Sequence, residues 1–478
     1  MSATDAEPPC SRPGTSAGAR VRRHALFICA LLAATALRAV TVLAYRGVLW
    51  FPDSHSYLGV AVRPAPYPAR PQGYAFFLRV LEPAHSYIFV AIVQHLLVLA
   101  AATAMYLLMR RRFAVPQWAA TLASLPVLFD AYQVQLEHML LSDTLFEVLA
   151  IAAVVAVLWK PRPGWVLCAV AGLAIGGCTV SRSVGLPLIA VIVVVLLIQR
   201  VGVRALGAAA LGCAVPLAAY AVWFHAYWGV YGFSNSSGLF LYGRTAVFAD
   251  CAKIDPPDSE RFLCPRGPVS ARASSPDYIW NVPPLSEIGT WRKFTPRMSA
   301  LTGDFAKRAI KAQPADYLRT VAVDFAHTFE WNRHGYPTAA SMRAYEFPEH
   351  VKPLKPDVSV PGATILADSR TYAHADGGTP VVDPYAAYIR AYQHHVRLPG
   401  TLLGVILATA LTGIILLWRR LGGGALLPWT AAMVMLLVPP VTSGFGYRYI
   451  LPAAPLACLA AAIALTEVRN ARRRPADD

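Results

Sequence analysis

Charged residues are scarce in this sequence. They make up 15% of the 478 residues, whereas hydrophobic residues make up 56%, and the mean hydropathy is +0.44. The sequence also lacks a CxxC motif, a paired-histidine motif and an internal repeat of the solenoid type. These absences argue against an ordinary globular domain, a zinc site and a repeat protein. The composition instead favours a polytopic membrane protein.

Acidic residues are fewer than basic ones, 27 against 43, which gives a formal net charge of +16. Many of the basic residues lie in the two tails and in short loops around Arg110, Lys160, Arg204 and Arg419. Short loops that are rich in Lys and Arg remain in the cytoplasm and so set the orientation of the membrane helices on either side. We therefore interpret the charge as a topology signal and do not predict nucleic-acid binding.

Ten apolar segments are long enough, or nearly so, to cross a bilayer, which takes about 20 residues. They are 25–45, 87–109, 113–129, 139–159, 165–180, 184–198, 205–224, 398–418, 425–441 and 450–465. Ten crossings place every basic loop and both termini in the cytoplasm. The predicted fold is an all-α polytopic membrane protein of about ten transmembrane helices. Residues 1–24 and 467–478 would form cytoplasmic tails, the first of them disordered.

Residues 225–397 interrupt the spans between the seventh and eighth helices and hold more than half of the acidic residues. We predict an extracytoplasmic segment, with a membrane module at 25–224 before it and membrane helices at 398–466 after it. Helices are expected at 300–311, 314–329 and 384–392, the last capped by Asp383, with irregular chain elsewhere. Cys251 and Cys264 are predicted to form a disulfide, since they lie outside the cytoplasm.

Polar residues recur where the predicted spans end on the outer side. Asp53 lies in VLWFPDSHSYL after the first span, and an interfacial loop with a solvated carboxylate is the alternative explanation. The other sites are EHMLLSDTLFE with Glu137, His138 and Asp143, then SRSVG with Arg182, then GYRYILPAAP with Tyr447 and Arg448. In a continuous helix His138 would lie beside Ser142, and Asp143 beside Glu147. Glu147, deeper in the membrane, would need a partner such as Arg182 or Arg448.

These motifs, in this order and on one side, resemble those of the GT-C superfamily of integral-membrane glycosyltransferases, in particular bacterial mannosyltransferases and arabinosyltransferases that use polyprenyl-phosphate sugars. The resemblance covers roughly residues 25–236 and 398–465. It implies that Asp53 is the catalytic base, with Glu137 and Asp143 as competing carboxylates whose charge would raise the pKa of Asp53. It also implies that Arg182 or Arg448 meets the lipid phosphate. His55, Tyr57, His138 and Tyr447 are further candidate substrate contacts.

The resemblance thus implies transfer of a sugar from a polyprenyl-phosphate donor to an extracytoplasmic glycan, lipid or protein in the cell envelope. No cofactor follows from it with certainty, and a divalent cation is one candidate. Many relatives carry two adjacent acidic residues in the first loop, whereas Ser54 follows Asp53 here. A transporter or flippase of an envelope lipid or glycan precursor is the alternative, although transporters place ionisable groups near mid-membrane. A non-catalytic scaffold for envelope assembly is a third reading.

The topology can be tested with reporter fusions. A reporter placed after Arg112, Arg204 or Arg420 should be active only in the cytoplasm, and one near Asp277 only outside, because the basic loops orient the helices. The measurement is the paired activity of a cytoplasmic and a periplasmic reporter at each site. An external signal at Arg112 would contradict the ten-span arrangement.

Overall fold

The computed structural model describes residues 23–332, 335–420 and 423–473, and the chain there is almost entirely helical. Residues 1–22, which hold most of the first predicted tail, and residues 474–478, which are the end of the second, lie outside the described residues. The helices of the first half are α1 (Ala25–Ala44), α2 (Ser54–Val62), α3 (Gly73–Leu81), α4 (Tyr87–Arg112), α5 (Gln117–Phe129), α6 (Ala131–His138), α7 (Ser142–Leu158), α8 (Trp165–Ser181), α9 (Gly185–Ile198) and α10 (Val203–Trp228).

The segment between the membrane parts contains short helices, turns of 3-10 helix and one small hairpin. Its elements are α11 (Ser237–Ala246), α12 (Cys251–Ile254), α13 (Asp277–Trp280), α14 (Thr290–Lys293), α15 (Pro296–Ala312), α16 (Pro314–His327), α17 (Ala339–Arg343), β1 (Val358–Val360), β2 (Ala363–Thr364), α18 (Ile365–Ala373) and α19 (Tyr385–His395). Strands β1 and β2 pair antiparallel. The chain ends with α20 (Gly400–Leu416), α21 (Leu426–Thr442) and α22 (Ala453–Arg473).

Each of the ten predicted spans coincides with one helix. Within the described residues, four stretches are long and apolar enough to cross a membrane, namely Ala25–Ala44, Tyr87–Arg112, Val203–Trp228 and Tyr447–Arg473. The bent pair α19 and α20 would make a fifth. Several of the remaining helices are apolar but shorter. The apolar helices fit a membrane-embedded protein, and the ten-span topology stays a prediction.

Large apolar side chains point outward on the long helices. Leu32 on α1 is 65% exposed, and Leu211 and Val222 on α10 are 68% and 60% exposed. A helix that carries such residues on its outer face is unfavourable in water, because each side chain loses about 1.5–3 kcal/mol of burial free energy. The same face is favourable against lipid, so these surfaces are those of helices that contact a bilayer.

Helices α8 and α10 pack backbone to backbone through glycine. A Cβ atom on Gly172 would lie 2.1 Å from the carbonyl oxygen of Ala209, and one on Gly212 would lie 2.6 Å from that of Ala169. Small residues of this kind let apolar helices approach closely where lipid removes the hydrophobic drive for association. The contact fixes α8, whose last turn leads directly into Arg182.

The predicted helix through His138 and Ser142 is interrupted. Residues Met139 to Leu141 are extended, and they hydrogen-bond to the first loop: Leu49 N donates to His138 O at 2.9 Å, and Leu140 N donates to Leu49 O at 3.0 Å. The expectation that His138 and Ser142 lie together on one helix is therefore wrong. Asp143 and Glu147 do share α7, as expected.

Residues 225–397, which we call the outer segment, contain the three predicted helices and the predicted crosslink. Helices α15 and α16 correspond to the first two, and α19 begins one residue later than predicted, with Pro384 instead of Asp383 at its cap position, while Asp383 Oδ1 accepts from Ala387 N at 3.0 Å. Helices α11 and α18 lie where irregular chain was expected. Cys251 and Cys264 form a disulfide, which confirms the predicted pair. The hairpin of β1 and β2 was not predicted.

The close contact of α8 with α10 gives a test of the packing. Gly172→Ala should lower the unfolding free energy by about 1–3 kcal/mol, because the added methyl group must push the two backbones apart. Gly207→Ala is the matched control on α10, since nothing lies within 4 Å of its Cβ position. The measurement is thermal unfolding of both variants in detergent. Equal stability of the two variants would contradict the packing.

Candidate active site

The loop that carries Asp53 is held against the extended residues 139–141. Ser54 Oγ donates to Leu140 O at 2.8 Å and accepts from Phe51 N at 3.0 Å. Ser54 is fully buried, so these two bonds satisfy a hydroxyl group that water does not reach. They set the position of Asp53 at the start of α2.

Asp53 lies between two guanidinium groups. Arg70 Nη1 is 2.5 Å from Asp53 Oδ1, and Arg448 Nη1 is 2.9 Å from Asp53 Oδ2. The carboxylate retains 15% of its side-chain exposure, and the two arginines retain 18% and 13%. Each oxygen of Asp53 therefore faces its own cation, and the group remains within reach of a ligand.

Asp143 is the second carboxylate of the site. It lies in the first turn of α7, where the helix dipole favours negative charge. It pairs with Arg182, and its Oδ2 lies 4.0 Å from Arg448 Nη1. Arg448 is thus shared by both carboxylates. We call this alternating series of Arg70, Asp53, Arg448, Asp143 and Arg182 the charge chain.

Aromatic rings support two of its guanidinium groups. Arg448 lies over Phe51 at 5.0 Å from the ring centroid and over Tyr449 at 5.4 Å, and Arg182 lies over Tyr449 at 5.1 Å. Stacking of this kind stabilises a planar cation while leaving its edge free to donate hydrogen bonds. The ring of Tyr449 therefore connects the two arginines that the sequence motifs assign to the phosphate.

The charge chain sets the ionisation of Asp53. Burial by itself would raise the pKa of this carboxyl group, but Arg70 and Arg448 outweigh burial and lower the pKa to about 2. We expected a raised pKa if a second carboxylate shared the site, whereas the net shift is downward. Asp143 does lie nearby, but the arginines dominate because they contact Asp53 directly. Asp53 is therefore ionised at every physiological pH.

Two other predicted residues lie beside the chain. Tyr57 is buried, and its hydroxyl group lies 2.9 Å from Ser142 Oγ, one residue before Asp143. His55 lies on α2 two residues from Asp53, and burial lowers the pKa of its imidazole against the opposing charges of Asp357 and Asp53. The ring of Tyr447, the residue before Arg448, packs against Tyr132 with a centroid distance of 5.5 Å.

Glu137 and His138 lie in a separate buried cluster. Arg38 donates to Glu137 from Nε and Nη2, both at 2.7 Å, and His95 Nδ1 lies 2.7 Å from Glu137 Oε2. His138 Nδ1 lies 3.1 Å from His95 Nε2. The geometry groups Glu137 with Arg38 instead of with Asp53, so it does not support a catalytic role for Glu137.

Glu147 does not pair with either of the arginines proposed for it. Arg182 binds Asp143, and Arg448 binds Asp53. These two carboxylates lie at the helix ends, where both arginines are also placed, whereas Glu147 lies one turn further along α7. The expected partnership is therefore wrong.

Arg70 is a site residue that the sequence interpretation missed. It lies in the proline-rich stretch YPARPQGY, which has no helical period to place it, and its charge resembles any loop arginine. Its proximity to Asp53 in sequence was the available signal. Arg38 lies within the first predicted span, and its partner Glu137 lies 99 residues away, so no local pattern joins the two.

The site does not fit a divalent cation in this arrangement. Mg²⁺ and similar ions require several oxygen ligands, whereas both oxygens of Asp53 face guanidinium groups. Within the described ranges no group of three or more His, Cys, Asp or Glu side chains could hold a metal ion.

Comparison with known proteins gives structural neighbours only. No protein-family model matches the chain, and no curated protein matches it by sequence. The chain is similar to an oligosaccharyltransferase from Archaeoglobus fulgidus, with a TM-score of 0.45 and 11% identity over 96% of this chain and 52% of that one. It is also similar to ArnT from Cupriavidus metallidurans bound to undecaprenyl phosphate, with a TM-score of 0.37 and 14% identity over 94% and 79% of the two chains.

The chain spans about half the length of the oligosaccharyltransferase. We therefore infer the function of the protein from the geometry of the charge chain.

The pKa of Asp53 gives a test of the charge chain. A pKa lowered from 3.8 to about 2 corresponds to roughly 2 kcal/mol of stability, at about 1.4 kcal/mol per pH unit. Because the folded-state pKa is the lower one, this stability is present above pH 4 and is lost as the pH falls toward 2. Arg70→Gln should therefore destabilise the protein above pH 4, and the difference from the unmodified protein should shrink below it.

The measurement is the thermal unfolding midpoint in detergent between pH 2 and pH 7. Arg79→Gln is the matched control, because Arg79 donates to the carbonyl oxygen of Ala61 and not to a carboxylate. Its effect should not depend on pH over this range. A pH-independent effect of Arg70→Gln would show that Arg70 and Asp53 are not coupled.

Proposed function

We propose that this protein is a membrane glycosyltransferase that transfers a sugar from a polyprenyl-phosphate donor to a hydroxyl group of an extracytoplasmic acceptor. The observation that carries the proposal is the charge chain, in which the partly exposed carboxylate of Asp53 contacts Arg70 and Arg448, while a third arginine, Arg182, binds the neighbouring Asp143. Such a reaction needs a base for the acceptor hydroxyl and cations for the departing phosphate. The charge chain contains both.

Arg182 and Arg448 are the proposed phosphate ligands. Arginine presents several donors in a planar fork, which suits phosphate oxygens. Both guanidinium groups stack on Tyr449, so a phosphate placed at their edges would receive hydrogen bonds from two sides. As the bond between the sugar C1 atom and the phosphate oxygen breaks, these cations stabilise the negative charge that develops on the phosphate.

A small apolar pocket lies between α7, α8, α9, α21 and α22, and only apolar residues line it. At 1.5 Å per residue, Ile175 on its wall lies about 10 Å along α8 from Arg182, and Ala150 lies about 10 Å along α7 from Asp143. The pocket has room for about one water molecule, so a prenyl chain would enter it only if these helices separate, and its phosphate would then lie at the charge chain.

Asp53 is the proposed general base, and donor binding would activate it. In the ligand-free protein its low pKa makes it a weak base. A donor phosphate that takes hydrogen bonds from Arg448 removes part of this stabilisation and brings negative charge close, and both effects raise the pKa of Asp53. The carboxylate then accepts the proton of the acceptor hydroxyl as the new bond from oxygen to C1 forms. Asp143, only 1% exposed, is less accessible to an acceptor.

The remaining assignments belong to the same proposal. Tyr57 and His55 flank Asp53 on α2 and would contact the sugar or the acceptor. The segment 225–397 would lie outside the membrane with the acceptor, a cell-envelope glycan, lipid or protein. The modules 25–224 and 398–466 would lie in the cell membrane as multi-pass parts.

A transporter or flippase is the second candidate, and one observation favours it. The cluster of Arg38, Glu137, His95 and His138 is buried among the apolar helices, as ionisable groups in proton-coupled transporters are. A transporter would move the intact lipid-linked or glycan precursor without breaking a bond to the sugar. Sugar transfer in a purified system therefore separates the two functions.

The test compares variants in two assays. With polyprenyl-phosphate mannose and polyprenyl-phosphate arabinose as donor probes, Asp53→Asn should lose about 10²- to 10⁴-fold in turnover, because the amide cannot accept the proton. In a binding assay with undecaprenyl phosphate, Asp53→Asn should bind as well as the unmodified protein or more tightly, because Arg448 is released from its carboxylate. Arg182→Ala and Arg448→Ala should both weaken that binding.

The matched controls are Asp376→Asn and Arg370→Ala, which change an exposed ion pair outside the charge chain. They should leave both assays unchanged. Full turnover in Asp53→Asn with loss in Asp143→Asn would assign the base to Asp143. Unchanged phosphate binding in both arginine variants would refute the proposed donor site.

A further inference from the structure

The outer segment contains a buried ion pair that the proposed reaction does not use. Arg244 Nη1 on α11 lies 2.7 Å from Asp324 Oδ2 on α16, and the two side chains are 1% and 2% exposed. A buried ion pair costs desolvation free energy and is often no more stable than apolar residues of similar size. Stability alone therefore does not explain the pair, and the other contacts of Asp324 are informative.

Asp324 also binds the loop that leads to Arg448. Its Oδ2 accepts a hydrogen bond from Phe445 N at 3.0 Å, and its Oδ1 accepts one from the hydroxyl group of Tyr336. Phe445 lies between the end of α21 and the short turn Tyr447–Tyr449. One carboxylate of the outer segment thus contacts the main chain three residues before the central arginine of the charge chain.

The loop itself follows a constrained path. Gly444 has φ +129°, a conformation that favours glycine, and Gly444 N donates to Pro439 O at 2.7 Å. The ring of Phe445 then packs against Tyr336 and His327, with centroid distances of 5.8 and 6.0 Å. The bond to Asp324 and these ring contacts attach the loop to α16 from the outer side, after α21 has ended.

We propose that Asp324 is a positioning residue for Arg448, and that the buried pair with Arg244 holds its carboxylate in place for this purpose. An ionised acceptor makes a stronger hydrogen bond to a backbone N–H than a neutral one. Arg448 has to lie between Asp53 and Asp143 and receive the donor phosphate, and a displacement of about 1 Å in such a site can cost about 10²-fold in rate. The inference rests on the proposed function, because it assigns Asp324 to the same site.

The decisive variant replaces both charges. Asp324→Leu combined with Arg244→Met removes the ion pair without leaving a lone buried charge, a change that folded proteins often tolerate. Phe445 N then loses its acceptor. We expect thermal stability close to that of the unmodified protein but about 10-fold weaker binding of undecaprenyl phosphate, together with reduced turnover of the donor probes.

A double-mutant cycle separates positioning from a general effect. In an Arg448→Lys background, the change at Arg244 and Asp324 should cause no further loss of undecaprenyl phosphate binding, because its effect acts through Arg448. Tyr336→Phe is a gentler variant that keeps the ion pair and removes one hydrogen bond to Asp324. It should weaken binding about 2- to 5-fold and should also add nothing in the Arg448→Lys background, which keeps the test valid if the double replacement fails to fold.

The possible results have different meanings. If phosphate binding is unchanged in both Arg448→Lys and Arg448→Ala, the phosphate role of Arg448 in the proposed function fails, and this inference fails with it. If Arg448→Lys weakens binding but the variants at Asp324 and Tyr336 bind normally, only the positioning role is refuted. Losses that simply add in the combined variants would likewise overturn it, because Asp324 would then act independently of Arg448.

Discussion

A single guanidinium group shared by two carboxylates is the interaction on which the site depends. Arg448 lies 2.9 Å from Asp53 and 4.0 Å from Asp143, and each carboxylate has a second arginine of its own. In a largely buried setting an uncompensated charge costs several kcal/mol, so every member needs its neighbours. Three parts of the fold position the members of the charge chain. They are the extended residues 139–141, the end of α8 and the loop after α21.

The outer segment is part of the construction of the site. Phe51, which supports Arg448 from one side, stacks on Tyr345 with a centroid distance of 5.7 Å. Asp324 holds the loop before Arg448 from the other side. The charged residues therefore lie on or between the apolar helices, and the outer segment contacts two residues close to Arg448, namely Phe51 and Phe445. This division explains why the segment can be irregular elsewhere and still matter for the chemistry.

Two kinds of feature could be predicted from the sequence: helices, which follow from hydrophobic periodicity, and polar residues that lie at the ends of spans on one side of the membrane. The helices followed from apolar runs, and Asp53, Asp143, Arg182 and Arg448 were recognised because each stands where a span ends on the same face. The interruption at 139–141 was missed because EHMLLSDTLFE contains neither glycine nor proline, and its extended form is imposed by bonds to Leu49. Glu137 was predicted to lie in the site because its pairing with Arg38 is a tertiary contact, which no local sequence pattern indicates.

The sequence distance within the charge chain has a consequence for biosynthesis. Arg448 and Asp53 are 395 residues apart, and the chain is made from its N-terminus. While the ribosome extends the chain, Asp53 and Asp143 have only Arg70 and Arg182 as partners, and the apolar pocket lacks the wall that α22 provides. The site is therefore assembled only when the end of the protein has been made, and a nascent chain that stalls before Arg448 lacks the cation that joins the two carboxylates.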